Sequence, residues 1–81
     1  MKTFHLTIAK VGENLFDGEA ASVILPGSEG VFTVLPHHEA LVANLKAGDV
    51  KVQSATGEQL HFAVPATGLA EVSNNQATVL L

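Results

Sequence analysis

The chain has 81 residues, of which 47% are hydrophobic, with a formal charge of −4, four lysines, no arginine and no cysteine. That length builds one domain, in which about 60% of the unfolded surface is buried, and its charge balance excludes the cationic stripe that nucleic acid or an anionic bilayer requires. Without cysteine there is no disulfide framework, thiolate nucleophile or zinc knuckle, and no segment reaches the roughly 20 apolar residues of a membrane helix or leaves room for a signal-peptide core, so a cytoplasmic or matrix-type compartment is the expectation.

Hydrophobic alternation with a period of two runs through the chain from its first residues. Phe4, Leu6 and Ile8 alternate with His5 and Thr7, which predicts a half-buried strand. After the turn signal Asp17-Gly18, Ala21, Val23 and Leu25 predict a further strand ending at Pro26-Gly27-Ser28. Phe32 and Val34 lie on a buried strand that stops at the Pro36-His37-His38 corner. Residues 38–46 place Leu41 and Leu45 at helical spacing, but the run is short and meets a glycine. It is read as an extended corner plus strand, with a single helical turn as the alternative. Turn signals at Ala47-Gly48-Asp49, Thr56-Gly57, residues 65–68 and Asn74-Asn75 separate the remaining strands, which contain Val50 and Val52, then Leu60, Phe62 and Val64, and finally residues 76–81. The pattern predicts an all-β, flattened β-sandwich of about eight to ten short antiparallel strands. Its expected interior is Phe4, Leu6, Ile8, Val23, Leu25, Phe32, Val34, Leu41, Val50, Val52, Phe62, Val64, Val72 and Val79.

Few residues invite chemistry. His37, His38 and Glu39 form the one cluster of metal-capable side chains, but neighbours on a strand point to opposite faces, so no metal site is expected. His5 and His61 fall on polar faces and are read as solvated or partner-facing. Ser22, Ser28, Ser54 and Ser73 lie in ordinary strand or turn contexts, so no catalytic triad and no catalytic residue is assigned. Gly27-Ser28-Glu29-Gly30 is not a phosphate loop, because a carboxylate stands where the anion would sit. No cofactor is expected. The same four residues can be a plain solvated hairpin or an acidic loop offered to a basic partner.

Taken together and in order, several motifs carry a family resemblance over essentially the whole chain: Phe4-His5-Leu6-Thr7-Ile8, Leu15-Phe16-Asp17-Gly18, Gly27-Ser28-Glu29-Gly30, Val34-Leu35-Pro36-His37-His38, Leu45-Lys46-Ala47-Gly48, Gly68-Leu69-Ala70-Glu71-Val72 and Asn75-Gln76-Ala77-Thr78-Val79-Leu80. The chain resembles the β-sandwich domain of the epsilon subunit of F-type ATP synthases, the subunit called delta in mitochondria. The resemblance implies a non-catalytic central-stalk component that binds the gamma subunit and the ring of c subunits, coupling proton or sodium flow to ATP synthesis. It further implies a c-ring-facing loop at Ser28, Glu29 and Gly30, and a gamma-facing corner at Pro36, His38 and Leu41. A peripheral position on the cytoplasmic face of the bacterial inner membrane follows from it. Most bacterial relatives continue into a two-helix C-terminal domain; residues 1–81 hold no helical hairpin and end where it would start, as either a naturally short subunit or one domain of a longer one would. The chain departs from the family pattern at His37, where glycine is usual, and at Thr67, where the family has the first glycine of a pair. Positive φ at either position would oppose the side chain, most of all the β-branched Thr67. The rival class is a biotinyl or lipoyl carrier domain, suggested by Gly48-Asp49-Val50 with Lys46 or Lys51 as the modified residue. A small metal-dependent β-barrel enzyme using His37 and His38 is a third.

Overall fold

A computed structural model describes residues 2–81 and contains six strands: β1 (Phe4–Lys10), β2 (Glu13–Gly27), β3 (Gly30–Val34), β4 (Leu41–Ser54), β5 (Gln59–Ser73) and β6 (Gln76–Leu80). They hydrogen-bond in the order β1-β6-β5-β4-β2-β3, and a further β1–β2 pairing closes the sheet on itself as a flattened, barrel-like sandwich. Closure leaves fewer unpaired strand edges to attract other chains. The all-β expectation holds, and residues 41–46 are strand rather than a helical turn.

Six strands replace the expected eight to ten because three turn signals lie inside long strands. Gly18 sits within β2, Ala47-Gly48-Asp49 within β4, and residues 65–68 within β5. At Gly48 the reason is visible. The β4–β5 register slips between Lys46 and Gly48, and such a bulge bends a strand without ending its pairing. The bend presses the β4 backbone onto a proline ring, so that a Cβ at Gly48 would lie 2.9 Å from Pro26 Cβ. Bent strands serve both layers: the first half of β2 pairs with β1, and its second half with β3 and β4. One pair is parallel, β1 with β6, which sets the two ends of the chain side by side with Leu6 opposite Ala77.

Alternation locates the core well. Phe4, Leu6, Ile8, Val23, Leu25, Val34, Val50, Val52, Val64, Val72 and Val79 are buried. Phe32, Leu41 and Phe62 are instead half-buried at its margin, where Phe62 meets Phe16 edge-on with ring centroids 6.4 Å apart. Ala20, Leu45, Ala70 and Ala77 complete the interior. The three alanines are small residues at inward strand positions, where closely packed layers leave little room. The Asn74-Asn75 turn has φ of 51° and 58°, the left-handed pair that a two-residue hairpin requires and that asparagine tolerates.

Candidate functional site

The acidic turn is the tip of the β2–β3 hairpin. Gly27 pairs with Gly30, leaving Ser28 and Glu29 as a two-residue loop. The hairpin closes tightly, since a Cβ at Gly27 would lie 2.5 Å from the Gly30 carbonyl oxygen and 2.9 Å from the Phe32 ring. Gly30 has φ of 136°, a region open essentially to glycine alone. The Ser28 N–H donates to the Asn44 carbonyl at 2.9 Å and ties the loop to β4. Between loop and strand lies a groove of about 260 Å³, lined by Glu29, Phe32, Val42 and Asn44 among others. Glu29 is exposed and has no ion-pair partner among the described residues. The turn thus offers an unneutralised carboxylate on a tethered backbone.

The corner follows β3. The His38 N–H donates to the Leu35 carbonyl at 3.1 Å and closes a turn around Pro36 and His37. His38 Nδ1 lies 2.8 Å from the Glu39 carbonyl oxygen; a carbonyl only accepts, so Nδ1 carries the hydrogen. His37 has φ of 63°. A histidine therefore occupies the left-handed conformation that explains the glycine expected there, whereas Thr67 lies in β5 opposite Lys46 without positive φ. The His37 N–H donates to Asn75 Oδ1 at 2.8 Å, and Asn75 Nδ2 donates to the Thr3 carbonyl at 2.9 Å. One asparagine thereby fastens the corner to the start of the chain. His37 is exposed and His38 half-buried, and among the described residues no three His, Asp or Glu side chains are arranged to hold a metal ion.

The start of β4 joins the two features. Val42, 70% exposed, lines the groove beside the acidic turn and also a second one of about 320 Å³, lined with Leu41, Glu71 and Ser73. Ser28, Glu29 and Gly30 on one side, and Leu41 at the end of the corner on the other, therefore flank one apolar strip. Leu35, 54% exposed, adds a further apolar side chain beside Pro36.

A third cluster lies on the outer side of β1 and β2. His5 Nε2 meets Asp17 Oδ1 at 2.6 Å, and Nδ1 meets Glu19 Oε2 at 3.2 Å. Thr3 Oγ1 donates to Glu19 Oε1 and Thr7 Oγ1 to Asp17 Oδ1. Carboxylates only accept, so satisfying both contacts requires both ring nitrogens to be protonated. Hydrogen bonding to Asp17, then to Glu19, raises the His5 pKa above its ordinary value of 6.5. The polar strand face at His5 is consistent with a solvated or partner-facing residue but does not reveal its partners, which come from strand register pairing His5 with Glu19 and Thr7 with Asp17.

Residues 3–81 match the family model described as the ATP synthase, Delta/Epsilon chain, beta-sandwich domain. The chain is 38% identical over 80 residues to an ATP synthase epsilon chain of Delftia acidovorans, covering 99% of this chain and 57% of that one. It is 38% identical over 81 residues to an ATP synthase epsilon chain of Xanthomonas campestris, again reaching 57% of its length. An ATP synthase epsilon chain of Protochlamydia amoebophila is 35% identical over 77 residues, with 95% of this chain and 52% of that one covered. The chain thus spans little more than half the length of these relatives. Among solved structures, a chain of the Euglena gracilis mitochondrial ATP synthase, in an OSCP/F1/c-ring assembly, superposes with a TM-score of 0.89 at 22% identity, covering 99% of this chain and 51% of that one. A chain of the Tetrahymena thermophila mitochondrial ATP synthase central stalk and c-ring gives 0.77 at 16% identity, covering 94% of this chain and 60% of that one. At such identities the superpositions speak to the fold.

Proposed function

This chain belongs to the delta/epsilon β-sandwich family of ATP synthases, and from that premise we propose that it is a non-catalytic component of the central stalk, joining gamma to the ring of c subunits so that proton or sodium flow is coupled to ATP synthesis. The observation that carries the reading is the similarity over residues 3–81 to chains named ATP synthase epsilon chain. In this role Ser28, Glu29 and Gly30 face the c-ring, and Pro36, His38 and Leu41 face gamma. The unpaired Glu29 carboxylate suits a basic loop, and rim charge of this kind governs encounter and orientation more than affinity. Leu35, Leu41 and Val42 supply the apolar surface that a stable contact buries. A closed sheet with a continuous core deforms little, as transmission of torque requires. The protein works peripherally at the cytoplasmic face of the bacterial inner membrane.

The carrier reading loses its physical basis, because a carrier lysine must project from a hairpin tip, whereas Lys46 and Lys51 both stand inside β4. The test is capture of the purified chain by recombinant gamma. Leu41→Asp and His38→Glu are expected to weaken capture; His38→Glu, outside the core, should leave the far-UV spectrum unchanged, whereas Leu41→Asp also removes packing at the core's margin. Capture unaffected by both substitutions would remove the corner from the gamma contact.

A further inference from the structure

The outer face of β2, β3 and β4 carries a groove of about 290 Å³ whose lining includes Ile24, Pro26, Val31, Lys46, Asp49 and Lys51. Register brings these residues together. Ile24 lies opposite Lys51, and Pro26 opposite Val31, while the slip between Lys46 and Gly48 turns the strand at the groove's edge. Val31 is 70% exposed, so the groove has an apolar floor open to solvent.

Its charge is unlike that of the rest of the chain. Only four lysines stand against eight carboxylates in the sequence, and two of the four border this one groove. Lys10 is paired with Glu13 at 3.5 Å. Neither Lys46 nor Lys51 has a carboxylate within ion-pair distance among the described residues, although Asp49 stands on the same rim. Two unpaired ammonium groups around an apolar floor repel the basic loop that Glu29 attracts, so one partner surface cannot suit both places.

We infer that this groove is a second protein contact, which takes a segment offering a carboxylate beside a branched aliphatic side chain. The inference rests on the rotor reading and adds to it a neighbour in the stalk that is acidic at this point of contact. The aliphatic side chain covers Val31 and Ile24, and the carboxylate meets Lys46 or Lys51. The domain then presents opposite polarities to its surroundings, Glu29 at the tip of the β2–β3 hairpin and the two lysines of β4 on the outer face of the sheet, which fixes the orientation in which it seats.

Amine acetylation with N-hydroxysuccinimidyl acetate, read by peptide mass spectrometry, tests the inference on the isolated chain and on purified, assembled enzyme. Lys46 and Lys51 should react freely in the isolated chain and severalfold more slowly in the enzyme. Carbodiimide treatment of the enzyme should join one of them to an aspartate or glutamate of a neighbouring subunit. Equal acetylation in the two samples would overturn the contact. Protection without any cross-link to a carboxylate would overturn its acidic chemistry. Failure of the rotor reading looks different, since the chain would then be missing from the purified enzyme, and the inference would fall with it.

Discussion

Replacing Gly27 by alanine probes how tightly the acidic turn is held. No positive φ is involved at this position, so alanine can adopt the backbone and would, on chain entropy alone, stabilise the fold by about 0.4–1 kcal/mol. The added methyl, however, lies 2.5 Å from the Gly30 carbonyl oxygen and 2.9 Å from two atoms of the Phe32 ring. Both distances are far inside van der Waals contact, and the first obstacle is backbone belonging to the paired strand. Overpacking of this kind costs about 1–3 kcal/mol, which exceeds the entropic gain. The net loss is therefore about 1–2 kcal/mol, and for a domain of this size each kcal/mol lowers Tm by roughly 4–8 °C. Thermal unfolding followed by far-UV circular dichroism reads the shift. The double substitution Gly27→Ala with Phe32→Leu removes the ring but not the carbonyl, so it should not restore the wild-type Tm. A Gly27→Ala protein that melts with the wild type would refute the tight closure of this hairpin.

Four further outcomes are expected. His5 has a raised folded pKa, so its contribution is complete below the unfolded value and is lost as pH rises through the higher folded value; at an exposed site it amounts to roughly 0.2–1 kcal/mol. His5→Gln should flatten that dependence in urea midpoints compared at about pH 5 and about pH 9, and an unchanged profile would discount the Asp17 and Glu19 contacts. Asn75→Ala removes two hydrogen bonds and puts alanine at φ of 58°, a loss of about 2–3 kcal/mol, whereas His37→Gly relieves left-handed strain and should be about 0.5 kcal/mol more stable; urea unfolding of the pair checks both signs. Glu29→Lys should leave folding intact and weaken rotor assembly by about 1–2 kcal/mol in a salt-dependent way, read as ATP-driven ion pumping and subunit retention at low and high salt.

Much of the fold is legible in the sequence because a closed sheet needs a strict inside-outside alternation. Phe4, Leu6 and Ile8 declare their strand and its inward face, and all three are fully buried. The strand count is not legible, because glycine and proline signal a turn and a bend alike. Gly57, at φ of 91°, lies in the turn between β4 and β5, while Gly48 only bends a strand. Partners across strands are hidden for a different reason. Nothing near His5 in the chain indicates that Asp17 and Glu19 will flank its ring, since the pairing depends on the β1–β2 register, which itself slips between Ile8 and Ala9. The acidic turn and the corner are visible as motifs, but the exposed Val42 between them emerges as their common neighbour only once the Ser28 N–H is seen bonded to Asn44. Likewise, Lys46 beside a turn signal and Lys51 on the strand after it show no common surface in the sequence, until the bulge at Gly48 brings them to one groove.

The rotor reading is tested most directly by affinity purification through this chain, in its natural full-length context, from the source cell, with quantitative mass spectrometry of what is recovered. It predicts gamma in equimolar amount together with c subunits, both retained through washing at moderate salt. Recovery of the chain without gamma, or with a covalently attached biotinyl or lipoyl group and an unrelated enzyme, would contradict it.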